Sequence, residues 1–214
     1  MANRNARAPS PDSDPDTAIT LGLLNAVHEN SAVTQRSVAR ELGIALGLAN
    51  AYLKRCVKKG FIKVSQVPAN RYAYYLTPKG FAEKSRLTAE YLSFSFSFFR
   101  NARAQCTEAF LACAAQDRKR VALAGTGDLG EIATLCAAET PVALAGFVDP
   151  ETNARRFAGL RVAGELTDLG PVDAVLITDL KRPQETYESI AAMVDPDRVF
   201  TPPLLNIVRP RAGS

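Results

Sequence analysis

Apolar positions along the first eighty residues fall into three helical patterns and then into strict alternation. Ile19, Leu21, Leu23, Leu24 and Val27 predict a first helix from Thr17 to about Asn30. Thr34 can cap a second helix, Thr34–Leu42, with Val38 and Leu42 facing inward, Arg36, Ser37 and Arg40 facing outward, and Gly43 as its stop. A third pattern runs from Ala45 to Lys59. It sets Leu46, Ala49, Leu53, Cys56 and Val57 on one side and Asn50, Lys54, Arg55 and Lys58 around the other, and Gly60 closes it. Phe61–Val67 and Arg71–Leu76 then read as two strands joined by the turn Pro68-Ala69-Asn70.

Thr77-Pro78 opens a further helix, with a capping threonine before a proline at the first helical position. The helical pattern continues to about Gln116, which is too long for one small domain to bury. Its stripe of Leu87, Tyr91, Phe94, Phe98 and Phe99, spaced by threes and fours, predicts a buried seam. A homodimer interface is the preferred reading of Leu87, Tyr91, Phe94 and Phe98, with packing inside one subunit as the alternative. From Arg120 the pattern changes to short apolar strands (Val121–Ala124, Val142–Val148, Ala174–Thr178, Val199–Phe200) with helices at Glu131–Ala138 and Gln184–Val194 between them, as in a parallel sheet.

These elements predict an α/β fold class with a separate α+β winged-helix domain: a winged helix-turn-helix, a long connecting helix and a small Rossmann-like parallel sheet. The expected divisions are a disordered arm at 1–16, a winged helix-turn-helix DNA-binding domain at 17–77, a linker and dimerisation helix at 78–117, and a nucleotide-binding domain at 118–214. In the arm, Arg4 and Arg7 are either phosphate contacts or part of a frayed terminus.

Charge sharpens the division. The chain has 214 residues, is 47% hydrophobic and carries a formal net charge of +4. Residues 1–120 hold 18 Lys/Arg against 9 Asp/Glu, while 121–214 hold 8 against 13. One half is suited to a polyanion and the other is not. No stretch approaches the roughly 18 apolar residues of a membrane span, and the N-terminus lacks the apolar run of a secretion signal, so a cytoplasmic protein without a membrane partner is expected. Cys56, Cys106, Cys113 and Cys136 match no metal or redox spacing and read as buried thiols, with a redox pair Cys106/Cys113 as the alternative.

The second helix of a helix-turn-helix enters the major groove, where base edges present distinguishable donors and acceptors. On that reading Asn50 bonds adenine, and Lys54, Arg55 and Lys58 meet phosphate or guanine. Arg36 and Ser37 anchor the backbone, Arg71 at the hairpin reaches a phosphate or the minor groove, and Gly47 sits where the helix approaches the DNA. The alternative is a solvated basic face on a protein-interaction module.

Val121–Ala133 contains a glycine-rich loop between a strand and a helix. Gly125 allows the tight turn, Gly127 lets a phosphate approach the backbone, Gly130 lets helix and strand pack closely, and the helix start favours an anion. Thr126, Asp128 and Leu129 complete the loop, Asp149 at the end of the next strand is placed for a ribose, and Thr178 with Asp179 ends another strand on the same edge. The alternative is a turn without a ligand, a reading strengthened by the charge of Asp128. No nucleophile, metal or paired-carboxylate arrangement lies near the loop, and the single histidine, His28, is on the first helix, so no enzyme activity is expected.

The stretches ELGIALGLANAYLKRCVKKGFIKV and YYLTPKGFAEKSRLTAEYL resemble the MarR-type winged-helix regulators, particularly the branch associated with exopolysaccharide genes. That resemblance implies a dimeric regulator of double-stranded DNA. Ala45 and Leu48 depart from it, standing where polar or basic residues are expected. A winged helix before such a glycine loop is similar to the Rex family of NADH-sensing repressors, and GFVDPE, FAGLRVAGELTDL and DAVLIT look like the nucleotide-sugar-binding domains of sugar acyltransferases. The resemblances imply a small nucleotide-type effector, a nucleotide sugar or NAD(H). The rival expectation is a DNA-anchored interaction module whose α/β domain holds no ligand.

Overall fold

The computed structural model describes residues 15–67 and 71–209. Most of the expected arm, with Arg4 and Arg7, and the turn at 68–70 lie outside the described residues. The chain divides into two compact units, the first ending at Phe96 and the second beginning at Ser97.

The first unit contains α1 (Pro15–Glu29), α2 (Gln35–Glu41), α3 (Leu46–Lys58), the strands β1 (Ile62–Val67) and β2 (Arg71–Leu76), and the beginning of α4 (Pro78–Ala115). Helix α1 begins inside the segment expected to be disordered. The start of α2 is fixed by a reciprocal cap: the Ser37 backbone N–H donates to the Thr34 hydroxyl at 3.1 Å, and the Thr34 N–H donates to the Ser37 hydroxyl at 2.9 Å. Leu23, Leu24, Val27, Val38, Ala49, Leu53, Cys56 and Ile62 form the core with Leu87 from α4. Strands β1 and β2 pair antiparallel from Ile62↔Leu76 to Val67↔Arg71, and the Tyr74 N–H donates to the Ser31 carbonyl at 2.8 Å, tying the hairpin to the α1–α2 connection.

One helix face differs from expectation. The inward side of α3 is Ala49, Tyr52, Leu53 and Cys56, whereas Leu46 and Val57 are exposed. Their hydrophobicity suggested burial, but both lie on the flank of the helix, away from the line that meets the core.

The second unit is built on a sheet ordered β5-β6-β4-β3-β7-β8, comprising β3 (Arg120–Ala124), β4 (Ala143–Val148), β5 (Arg156–Phe157), β6 (Leu160–Ala163), β7 (Ala174–Ile177) and β8 (Val199–Phe200). All neighbours are parallel except the β5–β6 pair. Central β3 is wholly buried from Val121 to Ala124, which explains its unbroken apolar run. Helices α5 (Asp128–Ala137) and α6 (Pro183–Ala191) connect the strands, and Ala102, Cys106, Phe110 and Cys113 of α4 enter this core.

From β3 the chain passes to β4 and β6 on one side, then crosses to β7 on the other. Ligands of open α/β sheets bind at the carboxyl edge beside such a reversal. The β5–β6 hairpin is absent from the sequence expectation because its strands are short and its turn, Ala158-Gly159, carries an alanine at φ 44° beside the glycine at φ 81°. Among the described residues, no helix is long and apolar enough to cross a membrane.

Candidate functional site

Helix α3 presents an exposed strip of Gly47, Ala51, Lys54 and Lys58, whose spacing of four, three and four keeps them on one face. Arg36 and Arg40 on α2 and Lys63 on β1 are also exposed. Lys63 was missing from the predicted contacts, although its outward position follows from the alternation of β1.

Three other predicted contacts are placed differently. The Arg55 Nη2 lies 2.6 Å from the Asp16 Oδ2, the Tyr52 hydroxyl donates to the Asp16 Oδ1, and the Arg55 guanidinium sits 5.4 Å over the Tyr52 ring. The Tyr52 and then the Arg55 hydrogen bonds hold the Asp16 carboxyl below its ordinary range, and the Asp16 bond raises the Arg55 guanidinium. Arg55 therefore ties α3 to α1 instead of extending toward a groove. The Ser37 hydroxyl is engaged in the α2 cap. The Asn50 amide oxygen is enclosed without a hydrogen-bond partner among the described residues, so its amide is not presented for a paired contact to adenine. The Arg71 side chain lies outside the described residues.

The expected seam on α4 is also redistributed. Leu87 is 2% exposed in the first core, Tyr91 packs against that core, and Phe98 packs against the core of the second unit. Phe94 is half-buried. The large apolar groups left exposed in this stretch are Leu92, Phe96 and Phe99, again spaced by four and three.

In the second unit a cleft of about 470 Å³ opens at the carboxyl edge of the sheet. Gly125, Thr126, Asp149 and Asp179, all singled out in the sequence, line it, and Glu151, Glu165, Lys181, Arg182 and Glu185 are additional lining groups from the segments after β4, β6 and β7. They were identifiable only as residues following strands whose order was unknown.

Gly125 has φ 102°, and a Cβ there would come within 2.6–2.8 Å of the Asp179 backbone and Cβ. At Gly130 a Cβ would sit 2.7 Å from the Phe147 ring, so this glycine serves helix-to-strand packing. A Cβ at Gly127 would meet nothing within 4 Å, leaving room for a ligand to approach.

Asp149 is already engaged by its own chain. Its Oδ2 accepts from the Thr126 N–H at 2.9 Å and the Thr126 hydroxyl at 2.5 Å, and its Oδ1 accepts from the Glu151 N–H at 3.0 Å. Thr178 is fully buried and donates to the Gly125 and Ala124 carbonyls at 2.7 and 3.0 Å; it supports the turn and does not line the cleft. The Leu129 side chain is likewise in the core. Asp128 and Glu131 fall in the first turn of α5. Arg182 pairs with Glu151 across the cleft and lies 3.6 Å from Glu185. Five carboxylates thus face two cations, giving the cleft a negative surplus.

The first unit defines a winged helix-turn-helix. Residues 16–63 match a family model described as winged helix-turn-helix DNA-binding. Among solved structures, the chain is similar to the PcaV transcriptional regulator of Streptomyces coelicolor at 21% identity and a TM-score of 0.37, over 41% of this chain and 66% of that one. It is also similar to MepR, a transcription regulator of the Staphylococcus aureus multidrug efflux pump MepA, at 22% identity and a TM-score of 0.34, over 41% and 64%. A structure of PigF with SAH aligns with 87% of this chain and 55% of its own at 10% identity, with a TM-score of 0.24. The chain thus spans just under two-thirds of the length of these two regulators. Likenesses at these scores carry no residue role or activity to this chain. No curated protein matches it.

Proposed function

We propose that this chain is a dimeric, MarR-type transcription regulator that binds double-stranded DNA through α3 and takes a small effector in the cleft of its α/β unit. The observation that carries the DNA reading is the exposed α3 strip, small at Gly47 and Ala51 and cationic at Lys54 and Lys58, with Arg36 and Arg40 exposed on α2. Small residues allow close approach to a groove, and the cations neutralise phosphates. The exposed Leu92, Phe96 and Phe99 support dimerisation through α4. The test is fluorescence anisotropy with duplexes selected from a random pool. Binding that weakens steeply with salt supports the reading, and no duplex binding even at low salt refutes it.

The effector reading remains a nucleotide sugar or NAD(H). It is supported by the cleft at the strand reversal, the tight turn that Gly125 allows and the open space at Gly127. The charge of the cleft favours the hydroxyl-bearing part of such a ligand, because carboxylates accept from sugar hydroxyls, while a diphosphate has Lys181 and Arg182 for counter-charge. The specific observation favouring a ligand-free interaction module is the Asp149 carboxylate bonded to Thr126 in the loop. A thermal-shift screen separates the two. A ligand at 100 times its Kd stabilises the native unit by about 2.7 kcal/mol. No shift with any nucleotide sugar, nucleotide or NAD(H) favours the module.

A further inference from the structure

Recognition helices contact base edges with the residues of their N-terminal turns. In α3 those residues are Ala45 at the cap, Leu46, Gly47 and Leu48, followed one turn later by Ala51. All five are exposed, Leu46 by 47% and Leu48 by 42%. None carries a hydrogen-bonding side chain. The polar candidate in this stretch, Asn50, has its amide oxygen enclosed by the protein. Farther along the helix the exposed strip becomes cationic, at Lys54 and Lys58.

This layout divides the labour along one helix. The lysines meet phosphates irrespective of sequence, whereas the apolar turn has nothing with which to read a donor or an acceptor. The major groove offers such a turn one apolar feature, the C5-methyl group of thymine. We infer that α3 reads thymine by its methyl group, through Leu46 and Leu48, in place of hydrogen bonds to base edges. The inference rests on the DNA reading above and names the base chemistry that this interface selects. Charge complementarity commits the apolar turn to DNA: Lys54 and Lys58 continue the same helix, and Arg36 and Arg40 lie exposed on the preceding one.

The experiment uses the full chain and its selected duplex. Each thymine within the footprint is replaced singly by deoxyuridine, which keeps the Watson–Crick and groove hydrogen-bonding groups and removes only the methyl. Burying one methyl-sized group corresponds to about a fourfold change in binding. Deoxyuridine at contacted positions should therefore weaken binding about fourfold each, and deoxyuridine outside the footprint should leave it unchanged. The L46A/L48A variant should bind thymine and uracil duplexes alike, and because both leucines are exposed it should unfold at the wild-type denaturant concentration.

Equal binding of thymine and uracil duplexes by the wild-type chain overturns the inference while leaving the DNA reading intact. Full discrimination retained by L46A/L48A also overturns it. If the variant changes sedimentation but not DNA affinity, the leucines are a protein contact and the inference fails. A chain that binds no duplex at all refutes the DNA reading itself, and the inference with it.

Discussion

Gly125 and Gly127 belong to one glycine motif, and the structure assigns them different physical work. Replacing Gly125 with alanine forces a side chain to φ 102°, a conformation costing of order 1–3 kcal/mol. The new Cβ would also stand 2.6–2.8 Å from the Asp179 N, Cα and Cβ, where the contacted atoms are largely backbone and cannot swing aside. Overpacking of this kind adds typically 1–3 kcal/mol. Together these costs are about 2–6 kcal/mol, a large part of the 5–15 kcal/mol that holds a typical domain. With a urea dependence of about 2 kcal/mol/M, the α/β unit of G125A should unfold about 1–3 M earlier.

At Gly127 the backbone is extended and a Cβ would meet no heavy atom within 4 Å, so G127A should change stability by less than about 0.5 kcal/mol. Pulsed thiol labelling read by mass spectrometry follows each unit separately, with Cys56 reporting the first and Cys106, Cys113 and Cys136 the second. G125A should advance labelling of the last three alone. Coincident midpoints for G125A and wild type, or equal damage from G127A, would refute the reasoning.

Further predictions follow from the charges and thiols. K54Q and K58Q should each reduce the slope of log affinity against log salt by about 0.9, whereas R55Q, having lost contacts to Asp16 and Tyr52 within its own unit, should leave that slope unchanged in anisotropy titrations. Because the folded-state pKa of Asp16 is lowered, its stabilisation is complete above the ordinary value of 3.8 and is lost as pH falls through the folded value. The difference in urea midpoint between wild type and D16N should therefore shrink toward zero in acid, and a constant difference from pH 7 to pH 2 would contradict the assignment. Burial pushes Cys106 and Cys113 up to about 12 and Cys56 up to about 11, and raises Cys136 as well. Ellman's reagent at pH 8 should find no fast thiol in the folded chain and four in urea.

Local signals carried most of the fold. Thr77-Pro78 marks the start of α4 because a capping hydroxyl and a preset φ act within one turn; the Thr77 hydroxyl accepts from the Gly80 N–H at 3.0 Å. Central β3 was legible because burial on both faces demands an unbroken apolar run. The β5–β6 hairpin was not, since a turn with alanine at positive φ lacks the Asn-Gly or Asp-Gly signature that marks such hairpins. On α3, hydrophobicity alone sends Leu46 and Val57 inward, although one helix face can hold only the groups that meet the core.

The bonding of two site residues was hidden from the sequence for a different reason. Arg55 and Asp149 are the right chemical types at the right local positions, but each is bonded to a residue far along the chain: Asp16 lies 39 residues before Arg55, and Thr126 lies 23 before Asp149. Type and spacing identify a group that can bind a partner; they do not reveal that the fold has already supplied one. A charged side chain tied within its own unit contributes to orientation of the elements it joins, while binding falls to groups that remain presented. On the proposed DNA reading, this moves the weight from Arg55 to Lys54 and Lys58. In the cleft, Asp149 acts on the shape of the glycine loop, and the proposed effector must either form around that bonded carboxylate or displace it from Thr126. The two courses differ in outcome: if ligands form around the bond, T126V should lower stability and affinity together, and if they displace it, T126V should lower stability while tightening binding.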